Sequence, residues 1–171
     1  MNFSFFKYQG TGNDFILMDN RSGAIQLDKK QVANLCHRRF GIGADGLMLL
    51  ENEPGYDFKM VYYNSDGAES SMCGNGGRCI TRFAYDLGIH KPEYLFLAID
   101  GPHAAVMEEH SIRLKMKDVA QVDHHATYSF VDTGSPHFVK NVISQCLLEE
   151  PGDQEIHIAF NFKEAGQQSY I

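Results

Sequence analysis

YNSDGAESSMCGNGGRCITRFAYDLGI, from Tyr63 to Ile89, is the stretch on which the reading of the fold turns. It opens with a polar turn, Asn64-Ser65-Asp66-Gly67, and continues as a short polar strand. From Arg78 onward, Ile80, Phe83, Ala84 and Leu87 recur at the i, i+3, i+4, i+7 spacing of one buried helical face. Gly88 stands where a helix-ending glycine belongs. Cys73, followed at once by Gly74-Asn75-Gly76-Gly77, is thereby placed at the N-terminal mouth of a buried helix, beside N–H groups with no intrahelical partner.

The partial positive charge at a helix start favours a thiolate, so a Cys73 more acidic than free cysteine is expected. The same N–H groups make a seat for a carboxylate, and the glycines at 74, 76 and 77 let an anion approach the backbone. The competing reading is a buried structural cysteine beside an ordinary glycine-rich loop, because free cysteine is among the most buried residue types. Composition alone leaves both open. Asn13 and Asn64, taken by themselves, read equally well as plain turn residues.

Working outward, 171 residues fit one domain of ordinary size, or one domain and a fragment of another. Hydrophobic residues at 43 % and aromatics at 12 % supply a core. A net charge of −7 argues against nucleic acid as a partner, since phosphate binding needs a basic surface. No apolar stretch approaches the span of a bilayer, so no membrane partner is expected. The start, MNFSFFKYQG, has no basic n-region and alternates like a strand, which reads as a cytoplasmic chain without a signal peptide. Cys36, Cys73, Cys79 and Cys146 are then expected to be reduced. Paired zinc-ligand spacings are lacking, and the adjacent His124 and His125 point apart in any regular element, so no metal is expected.

Phe3 to Tyr8 reads as a first strand, Gly10 to Asp14 as a turn, and Phe15 to Asp19 as a nearly all-apolar second strand. Asp28 N-caps a helix that runs through Val32, Leu35, Cys36 and Arg39 and ends near Gly41. The glycine-rich loop Gly41 to Gly46 lacks both the GK[ST] ending of a P-loop and the strand-to-helix setting of a dinucleotide fingerprint, so it reads as a structural turn. Leu47 to Leu50 is an apolar strand, and Asp57 to Tyr63 alternates with Phe58, Met60 and Tyr62 on one face. Tyr94 to Ile99, Ala104 to Glu108 and Ile112 to Met116 form a meander. The polar stretch Lys117 to Thr127 suggests a boundary near Ala120, giving an N-terminal domain over 1–119 and the start of a second, incomplete domain over 120–171. Tyr128 to Asp132 and Phe138 to Val142 read as two further strands. One helix amid many antiparallel strands is an α+β arrangement.

Four segments carry a resemblance. GTGNDF (Gly10 to Phe15), GIGADG (Gly41 to Gly46), YNSDG (Tyr63 to Gly67) and CGNGGRC (Cys73 to Cys79) resemble, in order and spacing, the N-terminal half of diaminopimelate epimerase. TGSPH (Thr133 to His137) is similar to that family's GNPH-type segment, with Ser135 where the family usually has asparagine. The likeness runs over roughly residues 3 to 140 and fades beyond Val142. It implies a mixed, mainly antiparallel sheet wrapped around a central helix. It also implies a cofactor-independent epimerase, free of pyridoxal phosphate, that interconverts LL- and meso-diaminopimelate for lysine and cell-wall precursor synthesis.

In that reaction two cysteines face each other across the α-carbon, one taking the proton as thiolate while the other delivers one as thiol. The resemblance makes Cys73 one of them and Asn13, Asn64, Gly74 and Asn75 substrate ligands. At Gly46 some family members carry a glutamine that contacts substrate. The second-half motif, a cysteine opening another glycine-rich helix, is lacking, since Leu147-Leu148-Glu149-Glu150 follows Cys146. The chain is therefore expected to carry only the first cysteine and to be inactive alone, unless a homodimer sets two copies of Cys73 face to face. A catalytically inactive domain that keeps the fold and weak amino-acid binding is the other reading. An isomerase with an acidic base in place of Cys73 fits the full CGNG match poorly.

Overall fold

A computed structural model describes residues 4–109, 111–116, 118–132 and 136–140. The chain divides into two compact units, Met1–Lys115 and Met116–Ile171. In the first, β1 (Phe6–Gly10), β2 (Asn13–Asp19), β3 (Gly46–Glu51), β4 (Phe58–Asn64), β5 (Glu93–Ala98), β6 (Gly101–Met107) and β7 (Ile112–Leu114) form one 7-stranded sheet in sequential order. Two helices interrupt it, α1 (Lys29–Cys36) between β2 and β3, and α2 (Gly74–Asp86) between β4 and β5. Those two strand pairs are parallel and the rest antiparallel.

Strict alternation along β2, β3 and β4 sorts their side chains into two cores. Phe15, Leu17, Met48, Leu50, Phe58, Met60 and Tyr62 join Ile80, Phe83 and Ala84 of α2. Ile16, Met18, Leu47, Leu49 and Val61 join Val32 and Cys36 of α1 on the other face. Burial on both faces is why β2 reads as an unbroken apolar run. α2 packs against β1 and β7, the two edges of the sheet, as well as β2, β3 and β6 between them, so the sheet curls around it. The Phe6 and Tyr8 rings of β1 lie 5.2 and 5.7 Å from the ring of Phe83. The architecture is the mixed, mainly antiparallel α+β sheet about a central helix that the resemblance implies.

Both helices start and stop for local reasons. Asp28 caps α1 through a reciprocal box, its carboxylate accepting from the Gln31 N–H and the Gln31 side chain accepting from the Asp28 N–H, both at 2.8 Å. α1 ends at Cys36 rather than near Gly41, and Arg39 falls in a turn. The glycine-rich loop folds back over the helix end instead. The Ile42 and Gly43 N–H groups donate to the Leu35 carbonyl, and Ala44 donates to that of Cys36. The loop is thus a cap for carbonyls that helix geometry leaves unpaired. α2 closes as a Schellman motif, with Gly88 at φ 91°, its N–H on Tyr85 O and the Ile89 N–H on Ala84 O.

The first hairpin is tighter than its sequence suggests. Thr11 and Gly12 alone form the turn, at φ 54° and 88°, and Gly10 pairs with Asn13. Positive φ at both central residues matches the two-residue type I′ geometry that suits strand twist. Asn13 and Asp14 therefore belong to β2, and β1 runs to Gly10 instead of stopping at Tyr8. The polar segment before α2 makes only an isolated bridge, Tyr63 to Glu69.

The second unit contains β8 (Val122–His124), β9 (Ser129–Asp132) and β10 (Pro136–Val139), antiparallel in the order β10-β9-β8. β8 falls inside the stretch read as a polar boundary, because all three of its residues are exposed and no apolar face announces it. Tyr128 stacks between His125 and Phe138, with ring centroids 4.3 and 4.5 Å away. Thr133, Gly134, Ser135, Cys146 and the chain beyond 140 lie outside the described residues.

The turn after β4 is docked on the start of α1. A Cβ placed on Gly67, at φ 82°, would stand 2.0 Å from the Lys29 carbonyl oxygen. Gly23 has a similar φ of 69° and open space around it. Gly67→Ala should therefore cost about 3 kcal/mol or more, since backbone must move, whereas Gly23→Ala should cost only about 1–2 kcal/mol. Urea unfolding midpoints of the two variants would show this order.

Candidate active site at the mouth of α2

Cys73 is the N-cap of α2, and its sulfur takes the place usually held by a serine or aspartate oxygen. The Gly76 N–H donates to Sγ at 3.2 Å, and the Gly77 N–H makes the first helical bond, to the Cys73 carbonyl, at 2.8 Å. Gly74 and Asn75 follow, both half-buried. Gly76 and Gly77 are buried and serve packing. A Cβ on Gly76 would lie 3.1 Å from Cys73 Sγ, and one on Gly77 2.8 Å from Leu114 of β7. Their smallness seats the start of the helix close against the sheet, while Arg82, Tyr85 and Asp86 further along α2 face outward.

Asn75 links this mouth to the first hairpin. Its Cβ would touch any Cβ on Gly10, at 3.3 Å, and its Nδ2 donates to Asn13 Oδ1 at 3.4 Å. Thr11 Oγ1 and the Arg78 guanidinium both donate to Asn75 Oδ1. Cys73, Gly74, Asn75 and Asn13 are thus brought together across more than sixty residues of chain. Asn64 ends β4 opposite Gly46, which itself pairs with Phe15, so it shares this end of the sheet with Asn13. It is exposed, its main chain closes the turn with Gly67 and Ala68, and its carboxamide has no hydrogen bond among the described residues. Asp66 bonds to the backbone of its own turn, at Ala68 N–H.

Sequence reasoning passed over the polar cluster behind Asn13. Asp45, from the glycine-rich loop, accepts from Asn13 Nδ2 at 2.8 Å and from the Asp14 N–H at 3.1 Å. Arg38 bridges Asp45 and Asp14 at 2.7 Å each, and Lys7 reaches Asp14 at 2.8 Å. The β2–β3 register, which sets Phe15 against Gly46, is what makes Asp14 and Asp45 neighbours, and no linear pattern exposes that. Arg38 and Lys7 hold the Asp14 carboxyl well below the usual carboxylate range, and the Asn13 amide chiefly lowers Asp45.

Tyr62, on the strand face that alternation indicates, is buried at 8 % exposure and stands against Gly46 and Phe15. A Cβ on Gly46 would stand 2.5 Å from its ring and 2.7 Å from the Tyr63 carbonyl, so no larger residue fits at 46 in this packing. Burial, with lesser effects from Cys73 and Asp45, raises the Tyr62 hydroxyl above its ordinary value.

The thiol itself reverses an expectation. Burial pushes Cys73 above the ordinary cysteine value, outweighing the Gly76 and Asn75 N–H groups and the Arg78 charge, which pull it down. The helix mouth does favour the thiolate, but the sulfur is partly buried, and the water lost there costs the charged form more than the N–H groups return. Cys36 and Cys79 are pushed up to about 11 by burial and receive no N–H donors. Among the described residues no group of three or more His, Cys, Asp or Glu side chains could hold a metal ion, and no helix is long and apolar enough to cross a membrane. A cavity of about 460 Å³ between β1 and the β6–β7 hairpin is lined by Arg78 and Arg82 but not by Cys73.

Comparison with known proteins places these features in context. A sequence profile described as diaminopimelate epimerase matches residues 5–139. A protein of that name from Flavobacterium psychrophilum is 57 % identical over 140 residues, covering 79 % of this chain and 54 % of that protein. One from Chlorobaculum tepidum is 44 % identical over 156 residues, covering 84 % of this chain and 60 % of that protein. The chain thus spans little more than half the length of these curated relatives. Among solved structures, a phenazine biosynthesis protein of the PhzF family from Bacillus anthracis aligns with a TM-score of 0.60 at 14 % identity, over 82 % of this chain and 55 % of that one. A hydroxyproline epimerase from Agrobacterium vitis aligns at 0.53 and 13 % identity, over 81 % and 50 % of the two chains. At such identities these two show the fold alone.

The thiol balance gives a test. Cys73 should react with iodoacetamide faster than Cys36 or Cys79, because it alone has N–H donors and is partly exposed. It should nonetheless react more slowly than free cysteine at neutral pH, and the rate should climb with pH along a curve displaced upward from that of the free thiol. Mass-spectrometric mapping of the labelled peptides between pH 6 and about 10 would measure both.

Proposed function

Because the chain belongs to the diaminopimelate epimerase family, we propose that it carries the first half of a site that inverts the α-carbon of diaminopimelate without a cofactor, with Cys73 as one of two proton-transfer groups. The observation that carries this reading is the Cys73 sulfur at the mouth of α2, in one hydrogen-bonded corner with Asn75 and Asn13. The N–H groups of Gly74 and Asn75, which have no carbonyl partner among the described residues, would take the substrate carboxylate as charge builds on it. The Asn13 carboxamide would take the α-ammonium, and Asn64 stands at the same sheet end as a further polar contact.

A thiol raised by burial is protonated at neutral pH, which suits Cys73 to deliver a proton to one face of the carbon. A base on the opposite face is then required, and it would come from the part of the relatives' length that this chain does not span. The second unit would be the beginning of the domain that supplies it. Residues 1–119 and 120–171 would thus be the two epimerase-like portions, in a cytoplasmic protein whose thiols stay reduced.

LL-diaminopimelate should protect Cys73 from iodoacetamide, while 1,5-diaminopentane, which has both amines and no carboxylate, should not. Absence of protection would remove the substrate assignment. In deuterated water the chain alone should yield no measurable meso product from LL-diaminopimelate. Appreciable inversion that Cys73→Ala abolishes would mean that a homodimer supplies both sulfurs. Protection without any α-proton exchange would identify a binding domain that is not a catalyst.

A further inference from the structure

We infer that Asp45 is the positioning residue that fixes which way the Asn13 carboxamide points, so that its carbonyl oxygen faces the mouth of α2. An ionised carboxylate only accepts hydrogen bonds, so the group that Asn13 turns toward Asp45 must be its NH₂. Nδ2 lies 2.8 Å from Asp45 Oδ2, and the same oxygen accepts from the Asp14 N–H at 3.1 Å. With NH₂ committed there, Oδ1 is left facing Asn75, whose Nδ2 donates to it at a long 3.4 Å. A bond that long is weak and readily given up to a better donor. The outward oxygen is complementary to an ammonium group and repels a carboxylate. The orientation therefore sorts the two charged ends of an amino acid, carboxylate to the helix N–H groups and ammonium to Asn13.

Asp45 is in turn held from behind. Arg38 binds its other oxygen at 2.7 Å and also binds both oxygens of Asp14, one of which takes Lys7 as well. The Asn13 amide, the Asp14 N–H and Arg38 together hold the Asp45 carboxyl below its ordinary range, and an ionised acceptor makes the stronger bond to an amide. Gly43 and Ala44, buried ahead of Asp45, and their N–H bonds to the end of α1 set the height of the loop. The glycine-rich loop thus acts on the site through one side chain.

The role of Asp45 rests on Asn13 meeting the substrate, but its own geometry can be tested apart from that. In ¹⁵N-labelled chain, the Asn13 side-chain amide is identified by its loss in Asn13→Ala. Asp45→Ala should move both Asn13 amide protons upfield and speed their exchange with water by about tenfold, while Asp45→Asn, which keeps an acceptor oxygen, should restore them. Calorimetric titration should show LL-diaminopimelate binding weakened about tenfold in Asp45→Ala and recovered in Asp45→Asn. In the unsubstituted chain, the same amide protons should shift together with the Asp45 carboxyl carbon as acid is added, which needs no variant to fold. Asn13 signals indifferent to Asp45→Ala or to that titration would overturn the assignment, as would an Asp45→Asn no better than Asp45→Ala. A chain that binds no diaminopimelate, yet shows the coupled Asn13 and Asp45 signals, would refute the substrate and leave the positioning intact.

Discussion

Strand direction reverses between β3 and β4, and the geometry of the first unit follows from that reversal. β2 to β3 and β4 to β5 are both parallel steps, taken the same way across the sheet, through α1 and α2. Crossovers of this kind are right-handed almost without exception. Two right-handed steps along strands of opposite direction must put their helices on opposite faces, and the two cores lie accordingly, one with each helix. β2, β3 and β4 are then covered on both sides, and the sheet is free to curl around α2 alone. The site is a consequence, because the start of α2 emerges where β2, β3 and β4 have their matching ends.

At that start two effects compete for one sulfur. The helix mouth offers N–H groups to Cys73, and the same depth that seats α2 through Gly76 and Gly77 removes water from the thiolate. Burial prevails, so the resting group is a thiol. On the proposed reading, a substrate carboxylate against the same N–H groups would disfavour the thiolate further and would hold the proton on sulfur until an opposite base acted. The hairpin and the glycine-rich loop serve the corner from outside, Thr11 and Arg78 steadying Asn75, Asp45 steadying Asn13. Tyr62 leaves no room for a longer side chain at 46, so a glutamine there would need a different ring position.

The sequence makes α2 legible from its apolar spacing, and β2 to β4 from their runs, since burial on one face leaves a period in the chain and burial on two leaves an unbroken apolar run. Phe58, Met60 and Tyr62 lie together on the α2 face as alternation indicates. α1 was harder to delimit, because Arg39 continues the helical spacing while the chain has already turned back at His37 to cap it. β8 has no apolar face to betray it. Cys73, Gly74 and Asn75 are legible as candidates because they sit beside a helix start, whereas Asp45, Arg38 and Lys7 meet Asn13 only through strand register. The acidity of Cys73 departs from the expectation for a similar reason. Helix position can be read from the chain, but the depth of burial depends on how far β7 and β4 close over the helix.

On the proposed reading, the first turn of α2 receives the carboxylate of an amino-acid head group while Asn13 receives its ammonium. A crystal structure of the chain with meso- or LL-diaminopimelate tests it most directly. A carboxylate oxygen is expected within about 3 Å of the Gly74 or Asn75 nitrogen, with the α-carbon beside Cys73 Sγ and the ammonium on Asn13 Oδ1. A head group bound the other way round, or seated in the cavity beside Arg78 and Arg82 and away from the sulfur, would contradict it.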